Sequence, residues 1–86
     1  MQIITRKATE ADKQLLMNQP TWGCEVSEFD WYYDSKEICI LTQGEVTVEY
    51  DGGKVSFGAG DYVEFPKGLK CVWKVTEAVR KHYKFF

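Results

Sequence analysis

Glu37 and Cys71 are the residues of this chain whose chemistry and surroundings could support a reaction. Glu37 alternates with Cys39 and Leu41, and side chains two residues apart share one face of a strand. If that face points into an aromatic interior, burial disfavours the charged carboxylate and raises its pKa, which suits a general acid. The alternative is a structural Glu37 that pairs with Lys36 or with a backbone amide.

The Cys71 thiol could act as a nucleophile or as a ligand, and it alternates with Trp73 and Val75. A nucleophilic thiol needs a nearby base. The chain has one histidine, His82, which alternates with charged residues and is predicted to be exposed. The alternative is an inert Cys71 that fills the core as a small hydrophobic residue. The three cysteines form no CxxC motif, so we expect reduced thiols and a cytoplasmic location.

Aromatic residues are dense in this chain, with 3 Trp, 5 Tyr and 5 Phe among 86 residues. They form either a packed core or the lining of a pocket. Trp31, Tyr33 and Trp73 are the candidates for an aromatic wall, and Cys39 would lie on the same inward surface. A cavity with that lining and a few converging polar groups is the usual form of a small-molecule site.

The elements that hold these residues are predicted from hydrophobic periodicity. Thr9 can cap a helix that carries acidic residues in its first turn, and Pro20 ends it. After Pro20 the apolar period changes from about 3.6 to 2, and Asp51-Gly52-Gly53 is typical of a tight hairpin. The apolar stripe of the helix would be Ala11, Leu15, Leu16 and Met17. Short strands are predicted at 1–7, 22–26, 37–43, 45–50, 55–57, 62–65, 70–76 and 79–86.

Length, composition and charge narrow the classes of protein that remain. A chain of 86 residues makes one domain, residues 1–86, and its many short strands separated by turns indicate an all-β sandwich or barrel. The formal charge of −2 argues against a nucleic-acid partner and against an acidic membrane surface. The N-terminus has no apolar signal core, and the longest uncharged apolar run, 38–41, is far shorter than a membrane span.

Two segments resemble the paired motifs of the cupin (RmlC-like) superfamily. Residues 37–44 fit the first motif, a Glu followed by six residues and a Gly. Residues 60–71 fit the second, Gly, five residues, Pro-x-Gly, two residues and then His, except that Cys71 stands in the place of the His. The resemblance implies a double-stranded β-helix or jelly-roll barrel of two antiparallel sheets, with one short N-terminal helix outside.

Metal-binding cupins also carry a His-x-His pair shortly before the Glu of the first motif. The matching positions here hold Trp31 and Tyr33, or Asp30 and Tyr32 with the longer gap, and His82 lies outside both motifs. One carboxylate and one thiol are a poor ligand set for a catalytic transition metal, so we expect no metal ion and no cofactor. Residues 26–34, 65–75 and 79–83 resemble the small cupins grouped with the (S)-ureidoglycine aminohydrolase cupin domain.

The sequence leaves two functions open. The first is a binding module whose pocket holds a small metabolite, with Glu37 and Tyr33 as hydrogen-bonding groups. The second is a small enzyme acting on a ureide, a sugar or a similar metabolite through Glu37 and Cys71, with or without a metal ion. In both cases Glu37→Gln should weaken binding or turnover at little cost in stability, whereas Cys71→Ser should matter much more in a thiol enzyme. We also expect a homodimer, formed through a sheet edge at residues 2–6.

Overall fold

The computed structural model describes all 86 residues, and it consists of one short helix and seven strands. No helix in it has the length and apolar character needed to cross a membrane. In chain order the elements are β1 (Ile4–Lys7), α1 (Glu10–Leu16), β2 (Thr21–Cys24), β3 (Ser27–Tyr32), β4 (Glu37–Tyr50), β5 (Gly53–Gly58), β6 (Asp61–Phe65) and β7 (Lys70–Phe85).

Every strand pairing is antiparallel, and the prediction of an all-β barrel with one short helix is confirmed. The strand order is β1-β6-β4-β7-β2, with β3 also paired to β7 and β5 to β4. The strands form one continuous hydrogen-bonded network instead of two separate sheets, because β4 and β7 are 14 and 16 residues long and pair with each other along most of their length.

The predicted strand breaks at Gly44 and between residues 76 and 79 are wrong, because β4 and β7 continue through both places. The register of the β4–β7 pair shifts there, so each strand is irregular where the sequence indicated a turn. Gly44 has a φ of +93°, and a Cβ at this position would lie 2.2 Å from the carbonyl oxygen of Ala78. Glycine therefore permits the close backbone approach that lets the strand continue.

The inward faces of β4 and β7 follow the predicted alternation and build the main core. Opposite Glu37, Cys39 and Leu41 on β4 stand Phe85, Tyr83 and Lys81 on β7. The core cluster collects buried apolar side chains from four strands, β4 to β7, and from three positions just outside the strands. Its members are Ile3, Tyr33, Cys39, Leu41, Val46, Val48, Phe57, Val63, Phe65, Leu69, Cys71, Trp73, Val75 and Val79.

Helix α1 packs on the outer face of the barrel through Leu16, which contacts a small cluster that contains Ile38 and Ile40 of β4. The Thr9 hydroxyl accepts a hydrogen bond from the Asp12 backbone amide, and the Asp12 carboxylate accepts one from the Thr9 amide, which completes a capping box. The predicted stripe is wrong for Ala11, Leu15 and Met17, which are exposed. A helix of two turns touches the sheet along one narrow face, which Asp12 and Leu16 occupy with the i, i+4 spacing.

Candidate functional site: an aromatic cavity with a buried ion pair

A cavity of about 190 Å³ opens among the aromatic side chains of the barrel. Seven of the nine residues that line it are hydrophobic, and the other two are a carboxylate and an amine. All three tryptophans of the chain are in the wall. The lining residues are Trp22, Phe29, Trp31, Tyr33, Glu37, Trp73, Lys81, Tyr83 and Phe85.

Strand pairing brings the aromatic residues of the wall together. Trp22 on β2 stands opposite Lys81 on β7, and Phe29 on β3 stands opposite Trp73. The Phe29 and Trp73 rings stack with their planes 13° apart, whereas Trp22 meets Trp73 edge to face. Such aromatic pairs add stability beyond the area that they bury, so these contacts stabilise this side of the cavity.

Tyr33 is held in the wall from both ends. Its backbone amide donates to the carbonyl of Leu69, and its carbonyl accepts from the amide of Gly68, so the turn before β7 fixes the position of the chain. At the other end, the indole Nε1 of Trp73 donates to the Tyr33 hydroxyl at 3.2 Å. Gly68 has a φ of +89°, a conformation that glycine adopts without strain.

A buried ion pair supplies the two charges of the cavity. The Lys81 Nζ donates to Glu37 Oε2 at 2.6 Å, and the two side chains are 7% and 2% exposed. Four aromatic rings surround the ammonium, with the Trp73 and Trp22 rings at 4.7 and 5.2 Å. Ring faces attract cations, so Lys81 is stabilised by its carboxylate partner and by the wall of the cavity.

Burial governs the protonation of Glu37 and Tyr33. It raises the pKa of Glu37 above its ordinary value, although the charge of Lys81 and a hydrogen bond with Tyr33 act in the opposite direction. The pKa of Tyr33 is also raised, first by burial and then by the Glu37 charge. Tyr33 is therefore a neutral phenol, and burial favours the protonated form of Glu37.

The two thiols named in the sequence analysis do not line the cavity. Cys39 is fully buried, and burial raises its pKa to about 12. Cys71 is 6% exposed, its pKa is raised to about 11 by burial and by the Glu37 charge, and its Sγ contacts the carbonyl oxygen of Trp31 at 3.7 Å. A nucleophilic cysteine reacts as the thiolate, and both of these thiols keep their proton at neutral pH.

Of the sequence-predicted residues, the structure brings Glu37, Trp31, Tyr33 and Trp73 together in the wall of one cavity. Lys81 was missed, although it alternates with Val79, Tyr83 and Phe85 and so shares their inward face. Also missing from the prediction as lining residues were Trp22, Phe29, Tyr83 and Phe85.

The prediction that His82 is exposed is wrong, because the ring is partly buried and Nδ1 lies 3.0 Å from the carbonyl oxygen of Gln19. Its neighbour Lys81 faces the cavity, so His82 points to the other side of β7.

The residues present do not fit a metal ion. A transition metal in a catalytic site usually takes three protein ligands, and no group of three His, Cys, Asp or Glu side chains comes together in the structure. Glu37, the one carboxylate in the cavity wall, contacts the ammonium of Lys81.

An antiparallel barrel with a ligand-sized cavity in its aromatic interior is the architecture expected of the cupin class. Within that class, the sequence model of the EutQ-like cupin domain matches residues 12–83. The chain belongs to this family.

Relatives of known structure share the fold over different fractions of their length. A DUF861 family protein from Thermotoga maritima is 45% identical with a TM-score of 0.93, and the match covers 99% of this chain and 100% of that one. A putative ethanolamine utilization protein Q from Salmonella typhimurium LT2 is 26% identical with a TM-score of 0.71, covering 77% of this chain and 54% of that one.

A curated relative is named acetate kinase EutQ, from Clostridioides difficile strain 630. It is 33% identical over 73 residues, which cover 79% of this chain and 46% of that protein. The chain thus spans about half the length of this relative.

Proposed function

We propose that this protein binds a small metabolite in the aromatic cavity and that the Glu37–Lys81 pair recognises the polar group of that ligand. The observation that supports the proposal is the ion pair itself, buried in the wall of an otherwise apolar cavity. Exchanging a buried ion pair for hydrophobic residues of similar size is often neutral or stabilising, so fold stability alone explains it poorly. Small-molecule sites commonly combine apolar walls with a few converging polar groups.

The size of the cavity limits the ligand. Its volume of about 190 Å³ suits about one ring with small substituents, because an apolar cavity of roughly 150 Å³ accommodates benzene. A planar ligand would stack on the indole and phenol faces of the wall. Its polar group would accept a hydrogen bond from Lys81 and donate one to Glu37 or Tyr33.

A second candidate function is catalysis on such a metabolite, with Glu37 as the acid. The raised pKa of Glu37 favours it, because a carboxyl group that keeps its proton closer to neutral pH is a better general acid. Cys71 has no role in this version, since its thiol lies outside the cavity wall and stays protonated. A ureide or a sugar as substrate, and the relation to the (S)-ureidoglycine aminohydrolase cupins, stay predictions.

The kinase activity in the name of the Clostridioides difficile relative does not enter this proposal. A kinase has to hold nucleotide phosphates, usually through a glycine-rich loop, a lysine and metal ions. The cavity of this chain has room for about one ring, and its lysine is paired with a carboxylate. These features support recognition of a small, mostly apolar compound.

The proposal includes a homodimer in the cytoplasm, without nucleic-acid or membrane partners. Strand β1 lies at one end of the strand order and pairs only with β6, which leaves its outer edge open for a second copy. The formal charge of −2 gives no support to a polyanionic partner.

The test compares Trp31→Ala with Tyr32→Ala. The two side chains are adjacent on β3 and are 48% and 53% exposed, but only Trp31 lines the cavity. Single-ring compounds that differ in their polar group, such as benzamide, benzyl alcohol and benzoate, are screened by thermal shift and then by calorimetry. We expect Trp31→Ala to weaken the best ligand about tenfold, or ~1.4 kcal/mol, and Tyr32→Ala to leave it unchanged.

Equal effects of the two variants, or no ligand among the ring compounds, would contradict the binding proposal. The same samples separate the two functions, because a ligand that is chemically consumed in the presence of the protein identifies an enzyme. In that case Glu37→Gln should reduce turnover by a larger factor than it reduces the affinity for the ligand.

A further inference from the structure

Lys81 stands apart from the other eight lysines of the chain. It is 5% exposed, whereas the others are exposed or only partly buried. Lysine is almost never fully buried without a partner, and here the amine stands in the wall of a cavity that a ligand can enter. The entrance is marked by Trp31 and Phe85, which line the cavity and are 48% and 45% exposed.

We propose that Lys81 forms a covalent imine with a small aldehyde or ketone bound in the cavity and that Glu37 carries the proton. This goes beyond reversible recognition of a ligand, and it rests on the proposed function because the carbonyl compound has to enter the same cavity. A lysine amine that is desolvated in a hydrophobic pocket is the usual nucleophile toward carbonyl carbons. The amine of Lys81 and a carboxylate at 2.6 Å provide the nucleophile and its proton acceptor.

The first half of the reaction adds the amine to the carbonyl group. The Glu37 carboxylate takes one proton from the Lys81 ammonium, which frees the lone pair of Nζ. This pair forms a bond to the carbonyl carbon, while the electrons of the carbonyl π bond move to its oxygen. A proton then passes from the nitrogen to that oxygen and gives a neutral carbinolamine.

The second half expels water. The Glu37 carboxylic acid gives its proton to the carbinolamine hydroxyl, the carbon–oxygen bond breaks, and the nitrogen lone pair forms the carbon–nitrogen double bond. Lysine ammonium and aldehyde have become a protonated imine and one water molecule, and no oxidant or reductant is consumed. The positive charge stays on Nζ, so the product keeps its ion pair with Glu37.

The surroundings of Nζ suit this product. The Trp73 and Trp22 rings lie 4.7 and 5.2 Å from the nitrogen, and their faces attract the cationic imine as they attract the ammonium. An apolar wall excludes water and so slows hydrolysis of the imine. The expected class of ligand is therefore an aldehyde or ketone on a single ring or a short apolar chain.

The test uses benzaldehyde with sodium cyanoborohydride, which reduces an imine to a stable benzyl amine. Peptide mapping by mass spectrometry then measures the label at each lysine and at the N-terminus. We expect the label on Lys81 to exceed that on each exposed lysine by about tenfold or more, because binding raises the local concentration of the aldehyde. Label spread over the exposed lysines with Lys81 unmodified would overturn the proposal.

Variants and a carbonyl-free analogue complete the experiment. Glu37→Gln should slow the labelling of Lys81 severalfold. Lys84→Arg removes a lysine of the same strand outside the cavity wall and should leave the labelling of Lys81 unchanged.

Benzyl alcohol has nearly the same shape as benzaldehyde but no carbonyl group. Stabilisation by benzyl alcohol without labelling of Lys81 refutes the imine alone, whereas the loss of both signals also refutes the proposed function. Where a variant fails to fold, the peptide mapping of the wild-type protein still decides whether Lys81 forms the imine.

Discussion

At the scale of single residues, Glu37 and Lys81 depend on each other, because each is almost fully buried. The strand alternation alone predicts little loss of stability from Glu37→Gln, whereas the buried ion pair predicts a substantial loss. The substitution leaves the Lys81 charge buried without its partner, so we expect a loss of about 3–5 kcal/mol in the free energy of unfolding. Urea unfolding measures this loss.

The matched control is the double variant Glu37→Gln with Lys81→Met. It removes both charges and keeps the side-chain volumes similar, so it should recover most of the stability that the single variant loses. A single variant as stable as the original protein, or a double variant no better than the single one, would mean that the pair is not desolvated in solution.

The protonation of Glu37 makes stability depend on pH in a defined direction. Its pKa is raised in the folded protein, so the native state binds this proton more tightly than the unfolded chain does. The stabilisation is complete below the ordinary value of 4.5 and is lost as pH rises through the raised value. We expect the stability of the wild-type protein relative to the double variant to fall with increasing pH across this window. Urea unfolding at several pH values measures this stability difference. A difference that does not change with pH would contradict the prediction.

The prediction concerns the difference in unfolding free energy between the wild-type protein and the double variant. This difference is needed because the protonation of Asp12 changes stability with pH in the opposite direction. Its hydrogen bond and ion pair with Arg6 hold the pKa of that carboxyl well below its ordinary value. The contribution of Asp12 is therefore present above the ordinary pKa and is lost as pH falls. It cancels between the wild-type protein and a variant that keeps Asp12.

At the scale of elements, the continuity of β4 depends on Gly44. Gly44→Ala combines a φ of +93° with a Cβ 2.2 Å from the Ala78 carbonyl oxygen, whereas Gly60→Ala has a φ of +91° with nothing within 4 Å. Gly60→Ala should cost about 1–2 kcal/mol from backbone strain alone. Gly44→Ala should cost more, because backbone atoms of β4 and β7 must also move apart. If urea unfolding shows that Gly44→Ala and Gly60→Ala lose the same free energy of unfolding, the contact between the new Cβ and the Ala78 carbonyl oxygen is relieved without cost.

Sequence periodicity predicted which residues share a face better than it predicted where a strand ends. The alternation from Glu37 to Leu41 and from Cys71 to Val75 identified inward faces, because a strand repeats every two residues. Gly44 was interpreted as a turn, since a glycine inside a long irregular strand has the same local sequence signal as a glycine between two strands.

The ion pair between Glu37 and Lys81 could not be predicted from local sequence patterns either. Lys81 has the parity of Tyr83 and Phe85, but its charge argues for an exposed position. Its partner, Glu37, is 44 residues away in the chain. Only the pairing of residues 37–41 of β4 with residues 81–85 of β7 brings the two side chains together, and no local sequence pattern encodes that long-range pairing.

At the scale of the whole molecule, the open edge of β1 predicts how two copies associate. We expect light scattering to give about 20 kDa, twice the 10.0 kDa of one chain. Ile4→Lys places a charge on this edge strand, where Ile4 is 46% exposed, and should shift the protein toward monomer. Val26→Lys, at a residue that is 67% exposed outside the strands, is the control. A monomer at tens of micromolar in the original protein would contradict the dimer.

The placement of all three tryptophans around one cavity has an optical consequence. The three indoles differ in exposure, from the buried Trp73 to the half-exposed Trp31, but all of them line this cavity. The tryptophan emission of the protein therefore reports on the cavity and not on the fold as a whole. Entry of a ligand should change the emission while the far-ultraviolet circular dichroism of the strands stays constant. During denaturation, a change in emission at lower urea than the change in dichroism would reveal that the barrel opens at this cavity before its strands separate.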